Sequence, residues 1–187
     1  MDTTASRDAA PPWRLRRAGA DDIDALQRFV AALSLRTRVQ RFFAPLRELP
    51  AELVERLRRG DARHRFVVAE STGDATVVAL GDVAWTASPP APCAELGLVL
   101  ADAWQGRGLG RALLERLAAE AVRGGAREAL LEVLATNRAM LSLAARCGFA
   151  LAAHPGDDEL VLATRRLDPA PAAPPRPARR GVATHPA

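Results

Sequence analysis

The 187-residue chain contains no lysine and no tyrosine; all 26 of its basic residues are arginine. It therefore carries no side-chain ε-amine and no phenol to donate a proton. Cysteine is scarce. Cys93 and Cys147 lie far apart in sequence and offer neither a paired framework nor the C-x-x-C spacing of a zinc site. Both read as buried thiols, and Cys147, just before a Gly-Phe pair at a helix end, reads as packing rather than as a nucleophile. No apolar run approaches the roughly 18 to 20 residues of a membrane span, and the polar start Met1 to Asp8 lacks the apolar stretch of a secretory signal. These absences point to a cytoplasmic chain with no membrane partner. Its arginines alternate with glutamates and aspartates and form no basic stripe interleaved with aromatics, so a net charge of +4 does not mark a nucleic-acid binder.

What is present is a globular composition, 49% hydrophobic and 26% charged, at a length that suits one domain with tails. The tails are expected to be disordered over residues 1–12 and 168–187, where small residues, proline and arginine cannot bury a core. Between them, residues 13–167 carry alternating helix and strand signals and no internal repeat. An edge strand is expected from Trp13 and a helix over about Asp22 to Leu33, with Ile23, Leu26, Phe29, Val30 and Leu33 on its buried stripe. A second helix, Ser34 to Phe43, sets Leu35, Val39, Phe42 and Phe43 in register, with Arg36, Arg38 and Arg41 projecting elsewhere. Pro50 opens a third, Ala51 to Arg59, which Gly60 stops.

From Arg65 the period becomes that of strands. A hairpin joins Phe66-Val67-Val68-Ala69 to Thr76–Thr86, and Gly81-Asp82 in its second arm suggests a bulge or bend. Ser88 to Pro92 is proline-rich and reads as a loop. The strand Ala94 to Leu100, a helix over Leu109 to Arg123 and a buried strand Ala129 to Leu134 then form a βαβ unit, whose strands should run parallel. A helix over Asn137 to Cys147 and strands over Phe149–Ala153 and Glu159–Leu167 complete the chain.

At the centre of that unit stands Gln105-Gly106-Arg107-Gly108-Leu109-Gly110. Its three glycines fall where a strand must turn into a helix, so several peptide N–H groups can converge on one point. The helix adds unpaired first-turn donors and the positive end of its dipole, and phosphate or pyrophosphate is the natural ligand.

The order of elements, this hexapeptide, Asn137 opening the later helix and Gly148-Phe149 ending it together resemble the GNAT superfamily of N-acetyltransferases. A narrower likeness is to the catalytic domain of bacterial Pat-type protein lysine acetyltransferases. It rests on Ser34 with Arg41-Phe42-Phe43, on Ala94-Glu95, on Trp104 leading into the hexapeptide, and on Asn137 with Met140. The resemblance implies an α/β (α+β) GNAT fold: a mixed, mostly antiparallel twisted sheet with a central splayed parallel pair and helices on both faces.

It further implies acetyl-CoA as cosubstrate, with its pyrophosphate held by Gln105, Gly106, Arg107, Gly108, Leu109, Gly110 and Arg111. Leu98, Val99 and Leu100 would pair with its pantetheine as a substitute strand, and Asn137 would lie near the far wall, where it also suits a helix cap. No metal is implied. Glu95 is the expected general base, because a carboxylate partly desolvated in an apolar strand has its pKa raised toward neutrality and can deprotonate an ammonium. The likeness to the Pat-type family places its catalytic glutamate at this position, and for that reason Glu95 is preferred over Glu70, Asp82 and Asp102. The tyrosine that many GNAT enzymes use as general acid would fall at Ala144, which leaves water to protonate the thiolate or lets it depart unprotonated.

Arg36, Arg38 and Arg41 read either as solvated arginines or as ligands for an acidic acceptor or the coenzyme phosphates. His64 reads as structural or exposed. The leading expectation is transfer of an acetyl group from acetyl-CoA to a primary amine, a protein lysine first, by a monomer or homodimer. Acetylation of a small amine, and a catalytically silent acyl-CoA-binding module, stand as alternatives.

Overall fold

The computed structural model describes residues 10–86 and 92–167. The expected loop over Ser88–Pro92, Pro92 apart, and the expected tails, residues 10–12 apart, lie outside them. Seven strands and five helices follow in the order β1 (Trp13–Ala18), α1 (Ile23–Ala32), α2 (Leu35–Phe42), α3 (Ala51–Arg59), β2 (His64–Ser71), β3 (Val77–Thr86), β4 (Cys93–Leu100), α4 (Leu109–Arg123), β5 (Glu128–Leu134), α5 (Arg138–Arg146), β6 (Ala150–Ala153) and β7 (Leu160–Arg166). Short 3₁₀ turns precede α1 and follow β4. All strands join one sheet, ordered β1-β2-β3-β4-β5-β7-β6. Every pairing is antiparallel except β4 with β5.

That parallel pair governs the site. It spans only Cys93 opposite Glu128, Ala94 opposite Ala129 and Glu95 opposite Leu130, while β5 stays paired with β7 as far as Leu134. From Leu96 onward β4 has no partner on its β5 side, and the sheet splits into a V with Glu95 at its apex. A parallel pair needs a long crossover, which α4 supplies. Its Leu109, Leu113, Leu114, Leu117 and Ala121 are fully buried against one face of the sheet. The other face packs Phe66, Val68, Leu80 and Val99 beneath Leu26, Phe29, Val30 and Leu33 of the α1 region. Side chains alternate along a strand, so Glu95, Gly97 and Val99 of β4 share this second face, beneath α1 to α3.

Two expectations change. Gly81 marks no bulge: it stands in register opposite Val67 and Leu98, and the shift falls between Ala69 and Glu70, where Glu70 pairs with Val77. Gly81 is small because α4 packs onto it; a Cβ there would lie 2.8 Å from Leu117 Cδ1. The second change concerns α2, whose buried side is its polar one. Thr37 and Arg38 are buried, whereas Leu35 and Phe43 are 57% and 47% exposed. That polar face meets two carboxylates, the buried Asp82 on the sheet and Asp102 on the turn after β4.

Candidate active site

A cleft of about 870 Å³ runs along the V, between the free edge of β4, the start of α4 and α5. Leu98, Val99 and Leu100 form its β4 wall, and Gln105, Gly106, Gly108, Gly110 and Arg111 its floor at the helix start. Gly106 (φ 72°) and Gly108 (φ 85°) both adopt the left-handed conformation, which suits glycine and turns the chain abruptly into α4. The first α4 hydrogen bond runs from Ala112 N–H to Gly108 C=O (3.2 Å), so the amides just before it have no helical acceptor. An anion at this point meets several N–H donors and the helix dipole. Gln105 braces the turn from outside, with Nε2 3.4 Å from Leu100 O and from Thr37 Oγ1.

Not every residue of the motif faces the cleft. The Leu109 side chain is fully buried in the core, and the Arg107 guanidinium lies over the Trp104 ring, 5.8 Å from its centre. Those two positions can offer backbone amides to a pyrophosphate. Asn137 lines the cleft and also caps α5, its Oδ1 accepting the Met140 N–H at 3.1 Å. Ala144 is fully buried, so the position where a tyrosine was sought faces the core. Both cysteines are buried, and loss of hydration pushes their thiols above the ordinary range.

Glu95 lies where this cleft meets a second one of about 790 Å³, which α3 and the end of β3 border. Solvent reaches it there, yet protein surrounds it. The resulting loss of hydration, then repulsion from Glu132 and Asp82, raises its carboxyl above the ordinary carboxylate range, while Arg41 pulls the other way. The three rejected carboxylates are engaged elsewhere. Glu70 is clamped by Arg16 and Arg14, which hold it low. Asp102 accepts from Ser34 N–H (3.0 Å), Ser34 Oγ (2.7 Å) and Thr37 Oγ1 (2.8 Å), and these bonds outweigh a burial that alone would raise it.

Asp82 anchors a chain of charges that the sequence did not reveal. One of its oxygens accepts from Arg41 Nη2, and the other meets His64 Nε2 at 3.0 Å. Burial alone would raise this carboxyl, but the Arg41 charge and the His64 hydrogen bond hold it below its ordinary value. Arg56 Nη1 donates to His64 Nδ1 (2.6 Å) and is itself paired with Glu52. Because a guanidinium only donates, His64 Nδ1 must accept, which places the imidazole proton on Nε2 toward Asp82. Phe66 stacks on the ring at 4.5 Å. Only the strand residue Asp82, an acid on a buried face, hinted at this cluster.

Cradle, split strands and a carboxylate at their apex form one arrangement, and the family model for GNAT acetyltransferases matches residues 31–149. The chain belongs to the GNAT acetyltransferase family. Its donor is accordingly acetyl-CoA, for which the free amides, the open β4 edge and the adjoining cleft are a fitting site. Among solved structures, this acetyltransferase is similar to the GNAT domain of S. lividans PAT, at 30% identity over 83% of this chain and 90% of that one, with a TM-score of 0.74. The fold is shared with yncA from Salmonella typhimurium, solved with acetyl-CoA (20% identity, 89% and 100% covered, TM-score 0.65). It is shared too with spermidine N-acetyltransferase from Vibrio cholerae in complex with CoA and spermine (18%, 83% and 96%, 0.65). Comparison with curated protein sequences finds no match. Among the described residues, no helix is long and apolar enough to cross a membrane.

Proposed function

We propose that this acetyltransferase modifies the ε-amine of protein lysines, with Glu95 as general base. The observation that carries the reading is the position of Glu95 at the junction of two clefts. One offers the cradle and free strand edge for acetyl-CoA, and the other leaves a separate approach for an acceptor. That second cleft is an open surface feature in which Arg56 and Arg59 neutralise Glu52 and Glu55, Arg63 stands near Asp61, and Glu95 is left without an ion-pair partner among the described residues to meet an alkyl ammonium presented on a larger surface. The 30% identity to the GNAT domain of S. lividans PAT supports the Pat-type likeness from which the lysine acceptor is inferred.

In this mechanism the cleft excludes bulk water from the β4 wall and Glu95 removes one proton from the bound ammonium. A raised carboxyl pKa narrows the gap to the amine and eases that transfer. Acetyl-CoA supplies an activated acyl group on a fair leaving thiol. No side chain is needed as acid, in keeping with the alanine at position 144.

The reading is tested by following thiol release from acetyl-CoA with lysine peptides, native proteins, polyamines and free amino acids. Lysine-bearing peptides or proteins should give the highest kcat/KM. A polyamine or amino acid turning over ten times faster would assign a small-molecule acceptor instead.

A further inference from the structure

The wall beside Glu95 holds an arginine in an arrangement that ion pairing alone does not explain. Arg41 reaches down from α2 onto Gly97 of β4, two residues beyond Glu95 and just past the point where β4 and β5 part. Gly97 stands opposite Asp82 in the β3–β4 register. A Cβ at position 97 would lie 2.6 Å from Arg41 Cζ and 2.9 Å from Asp82 Oδ1, so glycine is what admits the guanidinium. The side chain is 19% exposed and lines the acetyl-CoA cleft.

Its hydrogen bonding is one-sided. Nη2 serves Asp82, whereas Nη1 makes no hydrogen bond among the described residues and is not buried, so it is the donor left open to the cleft. Asp82 is in turn fixed from behind by His64 and Arg56. A cation braced by three further side chains, with Nη1 free at the apex of the V, is the kind of preorganised group that stabilises charge developing on a reacting oxygen.

We propose that Arg41 is a catalytic residue of the acetyl transfer, donating to the acetyl carbonyl oxygen as negative charge gathers there, and that Asp82 is the positioning residue that aims it. In that step the amine lone pair forms the N–C bond, the C–S bond breaks, and sulfur leaves with its electron pair. One ammonium proton has gone to Glu95; the nitrogen sheds the second, which water carries to the thiolate. The proposal rests on acetyl-CoA as donor and is independent of the acceptor.

The same guanidinium acts on Glu95 along with the other titratable and charged groups facing it: Asp82 from β3, the neutral His64 from β2, Glu132 from β5, and Glu52 and Arg56 from α3. Of these, Glu132 and Asp82 raise the Glu95 carboxyl, while Arg41 lowers it. Loss of Arg41 should therefore move the acid limb of the rate profile to higher pH.

The test uses acetyl-CoA labelled with carbon-13 at the carbonyl and bound to the full chain without acceptor, read by isotope-edited infrared spectroscopy. The wild-type carbonyl stretch should fall below that of free acetyl-CoA. Arg41→Gln should abolish most of that shift, lower kcat about 100-fold and leave acetyl-CoA affinity within about threefold. Arg41→Lys should recover part of both. If Arg41→Gln leaves Asp82 unpaired and unfolds, the double variant Arg41→Gln/Asp82→Asn removes both charges and should show the same two losses. A shift retained in either folded variant, or a kcat within about threefold of wild type, would overturn the proposal. The infrared arm needs no acceptor, so its failure is distinct from a failure of the lysine reading.

Discussion

A single methyl group at position 97 separates the roles of the two strand glycines. Gly97→Ala places a carbon against Arg41 and Asp82, and the buried pair must part. Overpacking of this kind costs about 1 to 3 kcal/mol, and here it also displaces the guanidinium. The expected outcome is a melting temperature lowered by about 2 to 12 °C together with a loss of kcat. Gly81→Ala meets the flexible tips of Leu117 and Leu113 on the opposite face, so it should lower stability while leaving kcat near wild type. Thermal melts and steady-state rates on the two variants check the pair. Glu95→Gln removes the base: the acid limb of the wild-type pH–rate profile should sit above the ordinary carboxylate range and vanish in the variant, at a much reduced rate.

At the scale of elements, α2 ties the two halves of the site together. Its N-terminus is held by Asp102 on the turn leading to the acetyl-CoA cradle, and its last turn by Asp82 beside Glu95. Asp102→Ala removes three acceptor contacts at the helix start. A cap of this kind is worth about 0.5 to 2 kcal/mol, and the variant should show that loss in denaturant melts together with a raised KM for acetyl-CoA.

A second tie joins α4 to the sheet edge. Glu120, only 1% exposed at its side chain, is gripped by Arg17 of β1, Arg65 of β2, and Arg116 and Arg123 of its own helix. Burial alone would raise its carboxyl, but Arg17 and the other arginines bring it down to about 2. A depressed carboxyl stabilises the fold above its unfolded pKa, near 4.3, and that stability fades as pH falls toward 2, by about 3 kcal/mol in all. Glu120→Gln should be less stable at neutral pH and flatter across this acid window, as urea melts at a series of pH values would show.

The legibility of the sequence also divides by element. The βαβ unit could be read because its evidence is local: the apolar stripe of α4, the glycines at its start and the apolar runs of β4 and β5. The inward face of α2 could not. Counting apolar residues pointed Leu35 and Phe43 inward, but the partners that turn Thr37 and Arg41 inward lie 65 and 41 residues further along the chain. The same distance in sequence hid the His64–Asp82–Arg41 cluster. The glycine hexapeptide read correctly as a strand-to-helix turn, although the direction of Leu109 into the core depends on the helix face it begins.

On the scale of the whole molecule, two cavities meet at Glu95, with acetyl-CoA proposed along the split sheet and an acceptor on the side of α3. Ligand that binds only the folded state should stabilise it by about 2.7 kcal/mol at 100 times its Kd, a rise of roughly 5 to 11 °C in melting temperature. Because the chain contains no lysine, no side-chain ε-amine of its own can compete as acceptor. The most direct test is to incubate wild type and Glu95→Gln with acetyl-CoA and a cell lysate and to map new acetyl groups by mass spectrometry. Protein acetyl-lysines that require the wild-type enzyme and disappear with Glu95→Gln are the predicted result. A wild-type lysate with no new acetyl-lysine, or the same sites produced by Glu95→Gln at an undiminished rate, would contradict it.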